Sequence, residues 1–376
     1  MKNFSLQLLA ICLFASSAVF AKTPKQFPNI SGEALFQMQA DRVLSTDKPG
    51  VSANNAFGYV EPKMSLNFNK NWSAKTNWRF QPNSVLTTRD QANPERYRTF
   101  LQTNRGFNFT DNGLIVEELK ANFENDDFRF FIGKYDPTFG TAHNKEKRIG
   151  VFAAQFTEDY NLREKIGAGV VGLLEGSKIS FNSFFNDTTG LSGSAINNRG
   201  RAVGSNGIAG NGSTPSSYSV SMDGENFMGI KDWFYNFGYR SLSTSKTDNR
   251  KREKGYVIGS EYLYEISSQT AIIPFIEIVK INNFTGELNR DAYYTTLALI
   301  GRYSGWTASG SYLTRDIKQS PNASRAVGKI SDRQFQLAIG YKFTDNLTID
   351  ISRALIKEDN TKGSLVGAVV SYSYKF

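Results

Sequence analysis

The chain has 376 residues, a formal net charge of +9, one cysteine and one histidine. The cysteine, Cys12, sits in the first apolar run, so the rest of the chain excludes disulfides, cysteine nucleophiles and Cys/His metal centres. Aromatic residues make up 13%, with 29 Phe and 17 Tyr, yet beyond that first run no apolar stretch reaches the eighteen or so residues that a membrane-crossing helix needs.

The opening reads MKNFS, then LQLLAICLFASSAVF, then Ala21. One Lys, an apolar core and small residues at Val19 and Ala21 form a secretory signal peptide over residues 1–21. Ile11 stands where a lipoprotein signal needs a small residue, so Cys12 does not read as a lipid anchor. Residues 22–376 remain as one exported domain with a charge of about +8. Mildly polar hydropathy in an aromatic-rich exported chain fits strands that alternate apolar and polar residues, as a transmembrane barrel does.

Period-two alternation is strand geometry, because successive side chains point to opposite faces. In chain order the pattern predicts strands over 30–40, 58–68, 73–81, 114–123, 128–134, 164–174, 177–186, 225–231, 234–242, 254–265, 270–281, 292–303, 306–315, 333–343, 347–356 and 364–376. Short turns such as Asn69-Lys70-Asn71, Ser304-Gly305 and Thr344-Asp345-Asn346 use residue types that tolerate tight turns, and they alternate with longer polar connections. This predicts an all-β fold: a transmembrane antiparallel up-and-down β-barrel of about 16 strands, with 14 or 18 as alternatives. Arg96 to Phe109 also alternates and is assigned to an external loop, since one more strand would break the up-down parity. The Gly/Ser/Asn-rich stretch 187–224 lacks the Lys-Ser/Thr of a phosphate-binding loop and reads as a surface loop.

The last strand ends in Tyr372, Tyr374 and Phe376 on one face. It resembles the terminal strand of bacterial outer-membrane barrels, which implies recognition of those three residues by the outer-membrane assembly machinery. A second motif, Ile132-Gly133-Lys134-Tyr135-Asp136-Pro137-Thr138-Phe139-Gly140, ends the fifth strand. It looks like the porin superfamily, particularly its general and phosphate-selective branches. That resemblance implies an outer-membrane porin, commonly a homotrimer, whose loop after the fifth strand folds inward as a constriction loop.

Sixteen strands enclose a lumen too wide for side chains to fill, so an inward loop over 135–162 would set the pore's size limit, and fixed charges there would select permeants. The expected pore and constriction residues are Lys75, Arg79, Arg129, Lys134, Asp136, Lys145, Lys147, Arg148 and Arg163. Alternation also assigns Lys63, Lys165, Lys178, Arg240, Arg302, Arg315, Lys342 and Lys375 to the lumen, against Glu33, Glu61, Glu118, Glu261 and Asp350. Basic positions predominate, which predicts passive diffusion of small hydrophilic or anionic solutes with a mild anion preference. The alternative is a structural or adhesin-type barrel without an open pore. His143 alone, without a GxSxG or HExxH segment, does not make an enzyme. No cofactor, metal or nucleic-acid partner is expected; the expected partners are membrane lipids, the assembly machinery and permeating solutes.

Overall fold

Alternating apolar and polar side chains leave each strand with one face for lipid and one for water, and a sheet that closes on itself leaves no unpaired edge between them. The computed structural model describes residues 26–51, 54–82, 109, 112–174, 176–193, 195–196, 209–212, 214–244, 250–319 and 328–376, with the side chains of 146 and 147 excepted. The expected signal peptide and nearly all of Arg96 to Phe109 lie outside these residues.

Sixteen antiparallel strands form one closed ring. They are β1 Asn29–Thr46, β2 Asn54–Asn67, β3 Trp72–Pro82, β4 Asn112–Glu124, β5 Phe128–Tyr135, β6 Lys165–Leu174, β7 Ser177–Asn186 and β8 Ser217–Gly224. There follow β9 Trp233–Leu242, β10 in two segments, Glu253–Tyr262 and Tyr264–Ser267, β11 Thr270–Asn282, β12 Ala292–Tyr303, β13 Trp306–Ile317, β14 Ile330–Lys342, β15 Leu347–Glu358 and β16 Thr361–Lys375. Both segments of β10 pair with β11 and count as one wall strand. The ring closes where β16 pairs with β1, from Glu33↔Lys375 to Thr46↔Gly363. Beyond that register, Gly32 and Phe376 exchange backbone hydrogen bonds of 2.9 and 3.1 Å.

One strand differs from the sequence expectation. The eighth strand is Ser217–Gly224, not 225–231. Ser217, Ser219 and Ser221 face inward and are buried, while Val220 faces out. The more apolar ENFMGIK segment instead forms the turn, where Phe227 packs against Trp233 and Tyr235 at ring-centroid distances of 5.3 and 4.9 Å. The long connection therefore runs over 187–216. The β3–β4 register extends to Pro82↔Asn112, so the ring closes without a strand from the stretch between them.

The outward face is apolar. Ile276 and Ile278 on β11, Leu297 and Leu299 on β12, and Leu337 and Ile339 on β14 are all exposed. An apolar surface of that extent is stable against lipid chains, not water. Aromatic residues gather at the short-turn end, with Trp306, Tyr341 and Phe343 in successive contact at 4.7 and 4.8 Å, and Trp72, Phe123 and Phe128 at 5.0 and 5.7 Å. Amphipathic rings favour a membrane–water boundary.

Candidate functional site: the inward loop and the facing wall

The motif after β5 has a conformational basis. Gly133 adopts φ +139°, and a Cβ there would meet the Leu119 carbonyl oxygen at 2.3 Å, so only glycine lets β5 pack this closely against β4 two residues before the strand ends at Tyr135. The connection 136–164 then turns into the lumen. It carries a 3₁₀ turn, Ala142–Lys145, and two single-turn helices, α1 Glu146–Ile149 and α2 Ala154–Thr157.

The loop crosses to the far wall. Ala142, Ile149, Phe152, Ala153 and Phe156 form a buried cluster with Ile273 and Phe275 of β11, Ile300 of β12, Leu313 of β13, Ile356 of β15 and Leu365 of β16. Apolar burial of this kind stabilises by about 25 cal/mol per Å² removed from water. Further back, Phe139, Tyr160 and Leu162 join Val257, Val279 and Tyr294 in a second cluster. The inner wall is thus apolar where the loop rests.

Polar anchors fix the loop's backbone, because buried amides need partners. Glu277 of β11 accepts from the Thr141 amide at 2.6 Å, the Ala142 amide at 3.1 Å and the Tyr160 hydroxyl at 2.7 Å. Gln336 of β14 accepts from the Phe152 amide at 3.0 Å and donates to the Ile149 carbonyl at 3.0 Å. Gly150 between them has φ +118°, and a Cβ there would lie 2.1 Å from the Gln336 side chain. Arg315 of β13 bridges Asp159 at 2.8 Å, Asp332 at 2.6 Å and Glu358 at 3.3 Å. Arg240 of β9 donates to the Tyr160 carbonyl and to Glu253. Both arginines face the lumen, as the alternation predicts, but they are buried beneath the loop.

The structure divides the expected constriction residues. Lys145 and Arg148 on the loop both pair with Glu261 of β10, and the Arg148 side chain is 40% exposed. Arg163 donates to Glu158 at 2.6 Å and lies 3.6 Å from Glu117. Arg79 on β3 contacts Glu117 at 2.7 Å and Glu61 at 3.7 Å, with its guanidinium over the Tyr59 ring. The loop's end and the β2–β4 wall therefore meet in one chain of alternating charge. Lys75 and Arg129 lie near the short-turn end, where Arg129 engages both oxygens of Glu124 at 2.9 and 2.7 Å.

Two expected residues sit elsewhere. Lys134 pairs with Leu119 in the outward register of β5. It is buried under the outer connection, 3.0 Å from Glu164 and 2.8 Å from Asp187, and donates to the Leu191 carbonyl. Asp136 accepts from the Glu164 amide at 2.7 Å; burial pushes its pKa up to about 6 against the opposing pull of Arg163. Both fasten the base of the loop. The Lys147 side chain lies outside the described residues.

Sequence reasoning missed Glu117. The register shifts between Asn77 and Trp78, so Glu117 is an extra residue opposite β3 and turns inward beside Glu118. A bulge of this kind re-aims a side chain, and simple alternation had assigned only Glu118 to the lumen. Glu277 was missed because a lone acid in an apolar strand carries no signal until its partners, over a hundred residues away, are in place.

No protein-family profile and no curated protein sequence matches the chain. Solved structures do. The chain is similar to OmpF of Salmonella typhi in complex with daunomycin (TM-score 0.58, 9% identity, covering 92% of this chain and 97% of that one). It is similar to OccK8 (OprE) of Pseudomonas aeruginosa (0.53, 11%, 93% and 98%) and to OccAB4 of Acinetobacter baumannii (0.52, 7%, 94% and 100%). At such identities the likeness establishes the fold alone: a closed antiparallel barrel, here of sixteen strands.

Proposed function

We propose that the protein is an outer-membrane porin, a water-filled channel for passive diffusion of small hydrophilic solutes and ions with a mild anion preference. The observation that carries this reading is the exposure of charges on the inner wall. The Lys63, Lys342, Glu33 and Arg129 side chains are 50%, 54%, 46% and 37% exposed. They face inward toward the short-turn end of a closed barrel, and their exposure supports water at that mouth of the lumen. The likeness to outer-membrane porins supports the same reading.

The anion preference rests on which sign meets that water. Glu61, Glu117, Glu261 and Glu277 are buried at 8% exposure or less, whereas Lys63, Arg129, Arg148 and Lys342 stand in solvent. Glu33, Glu124 and Asp345 are exposed beside Lys63, Arg129 and Lys342, so the preference is mild and rests on the excess of basic over acidic residues on the inner wall. On this reading the loop narrows the lumen, and Arg148, with its side chain 40% exposed, is, among the described residues, the basic residue of the loop most open to a passing solute. Homotrimer formation, export through residues 1–21 and recognition of Tyr372, Tyr374 and Phe376 by the assembly machinery belong to the same proposal and rest on the sequence resemblance.

Proteoliposome swelling tests it. Small sugars and chloride salts should enter proteoliposomes, with rates falling steeply with solute size. Vesicles impermeable to all of them would favour an occluded structural barrel.

A further inference from the structure

A polar cavity of about 290 Å³ opens on the inner wall at the short-turn end of β1–β4, away from the inward loop. Ser31, Ser65, Asn67, Lys75, Asn122 and Glu124 line it. Its volume suits a hexose-sized solute, at the small end of ligand pockets.

The lining is prepared for a ligand with both hydroxyls and a negative charge. Asn67 donates to Asn29 Oδ1 at 2.9 Å and to Ser31 Oγ at 3.1 Å, and it accepts from Ser65 Oγ at 2.9 Å. This chain of amide and hydroxyl groups presents donors and acceptors side by side, as sugar hydroxyls require. Asn122 is 2% exposed, and its carbonyl oxygen is buried without a hydrogen-bond partner. Such an orphan is costly unless a ligand hydroxyl or a water satisfies it.

The charge balance adds the second requirement. Arg129 occupies both oxygens of Glu124. Lys75 stands 3.8 Å from that carboxylate, beyond hydrogen-bond distance. Its ammonium has donors to spare and faces a neutralised acid.

We propose that this cavity binds a hexose-sized polyhydroxylated anion, with Lys75 holding the anionic group and Asn122, Asn67 and Ser65 holding hydroxyls. The site deepens the porin reading by naming a solute class, but binding itself does not need an open channel.

Calorimetry on the detergent-solubilised full chain tests it, with D-glucuronate as the probe and glucose and acetate as controls. Glucuronate should bind at least tenfold more tightly than either control, and Lys75→Gln and Asn122→Ala should each weaken it at least tenfold. Ser65→Ala, at a part-exposed position, serves as the further variant should Asn122→Ala fold poorly, and it should weaken binding several-fold. Absence of binding, equal binding of acetate or glucose, or wild-type affinity in correctly folded variants would overturn the site. A silent bilayer with intact glucuronate binding would instead sink the channel reading alone.

Discussion

Glu277 and Thr141 are 136 residues apart in sequence, and the carboxylate of one accepts the backbone amide of the other at 2.6 Å across the barrel. The bond joins the inward loop to the wall opposite its origin. It makes Glu277 a structural latch, with the Ala142 amide and Tyr160 hydroxyl on the same carboxylate.

Replacing Glu277 by Ala removes this acceptor from the part-buried Thr141 amide, the buried Ala142 amide and the buried Tyr160 hydroxyl. A buried unsatisfied group costs about 1–3 kcal/mol, so the loop should loosen while the wall persists. Limited proteolysis should show cleavage within 136–164 that wild type resists, and single-channel traces should become noisier. Unchanged protease resistance and quiet traces would show that the apolar cluster alone holds the loop.

Selectivity should follow the exposed bases. Charges act over a Debye length of ~8–10 Å at physiological salt and roughly 3 Å at 1 M. Reversal potentials in a dilute salt gradient should indicate anion preference, and the preference should weaken in molar salt. The triple variant Lys63→Glu, Lys75→Glu, Lys342→Glu should shift the potential toward cations. Arg79 is unsuited to this test, because it holds Glu117 and Glu61, and a third carboxylate there would disrupt the wall.

His143 gives a pH prediction. Burial lowers its pKa to about 4, from an ordinary value near 6.5, and its Nδ1 is buried without a hydrogen-bond partner. The unfolded chain therefore takes up the proton first. Stability from this group is intact above pH 6.5 and declines as pH falls from there through 4. His143→Gln should flatten that part of the stability–pH curve, read from thermal melts, and leave selectivity between pH 6.5 and 8 unchanged.

Deleting Phe376 should impair assembly more than folded stability. Its backbone makes two hydrogen bonds to Gly32, each worth about 1 kcal/mol net, and its ring is largely exposed. Outer-membrane abundance should fall sharply while the refolded variant melts near wild type. Normal membrane levels would count against the signal reading.

Alternation made fifteen of the sixteen strands legible, because each wall strand must separate lipid from water. It failed at β8, where inward Ser217, Ser219 and Ser221 are small and the neighbouring turn is richer in apolar residues. The inward loop was legible only through the Ile132–Gly140 resemblance. Its charges were visible in the sequence, but their pairing was not. Lys134 faces out because β5 keeps its register to its end, Glu117 faces in because β4 carries a bulge, and Arg240 and Arg315 meet loop groups 80 and 156 residues away. Pairings at such separations depend on barrel closure, which no local pattern encodes.

A porin needs an open aqueous path past the inward loop. Single-channel recording of the purified protein in planar bilayers tests it most directly. Stepwise current increments should scale with bulk salt conductivity and shrink when solutes large enough to lodge beside the loop at Arg148 are added. A correctly folded barrel that inserts but carries no current would contradict it.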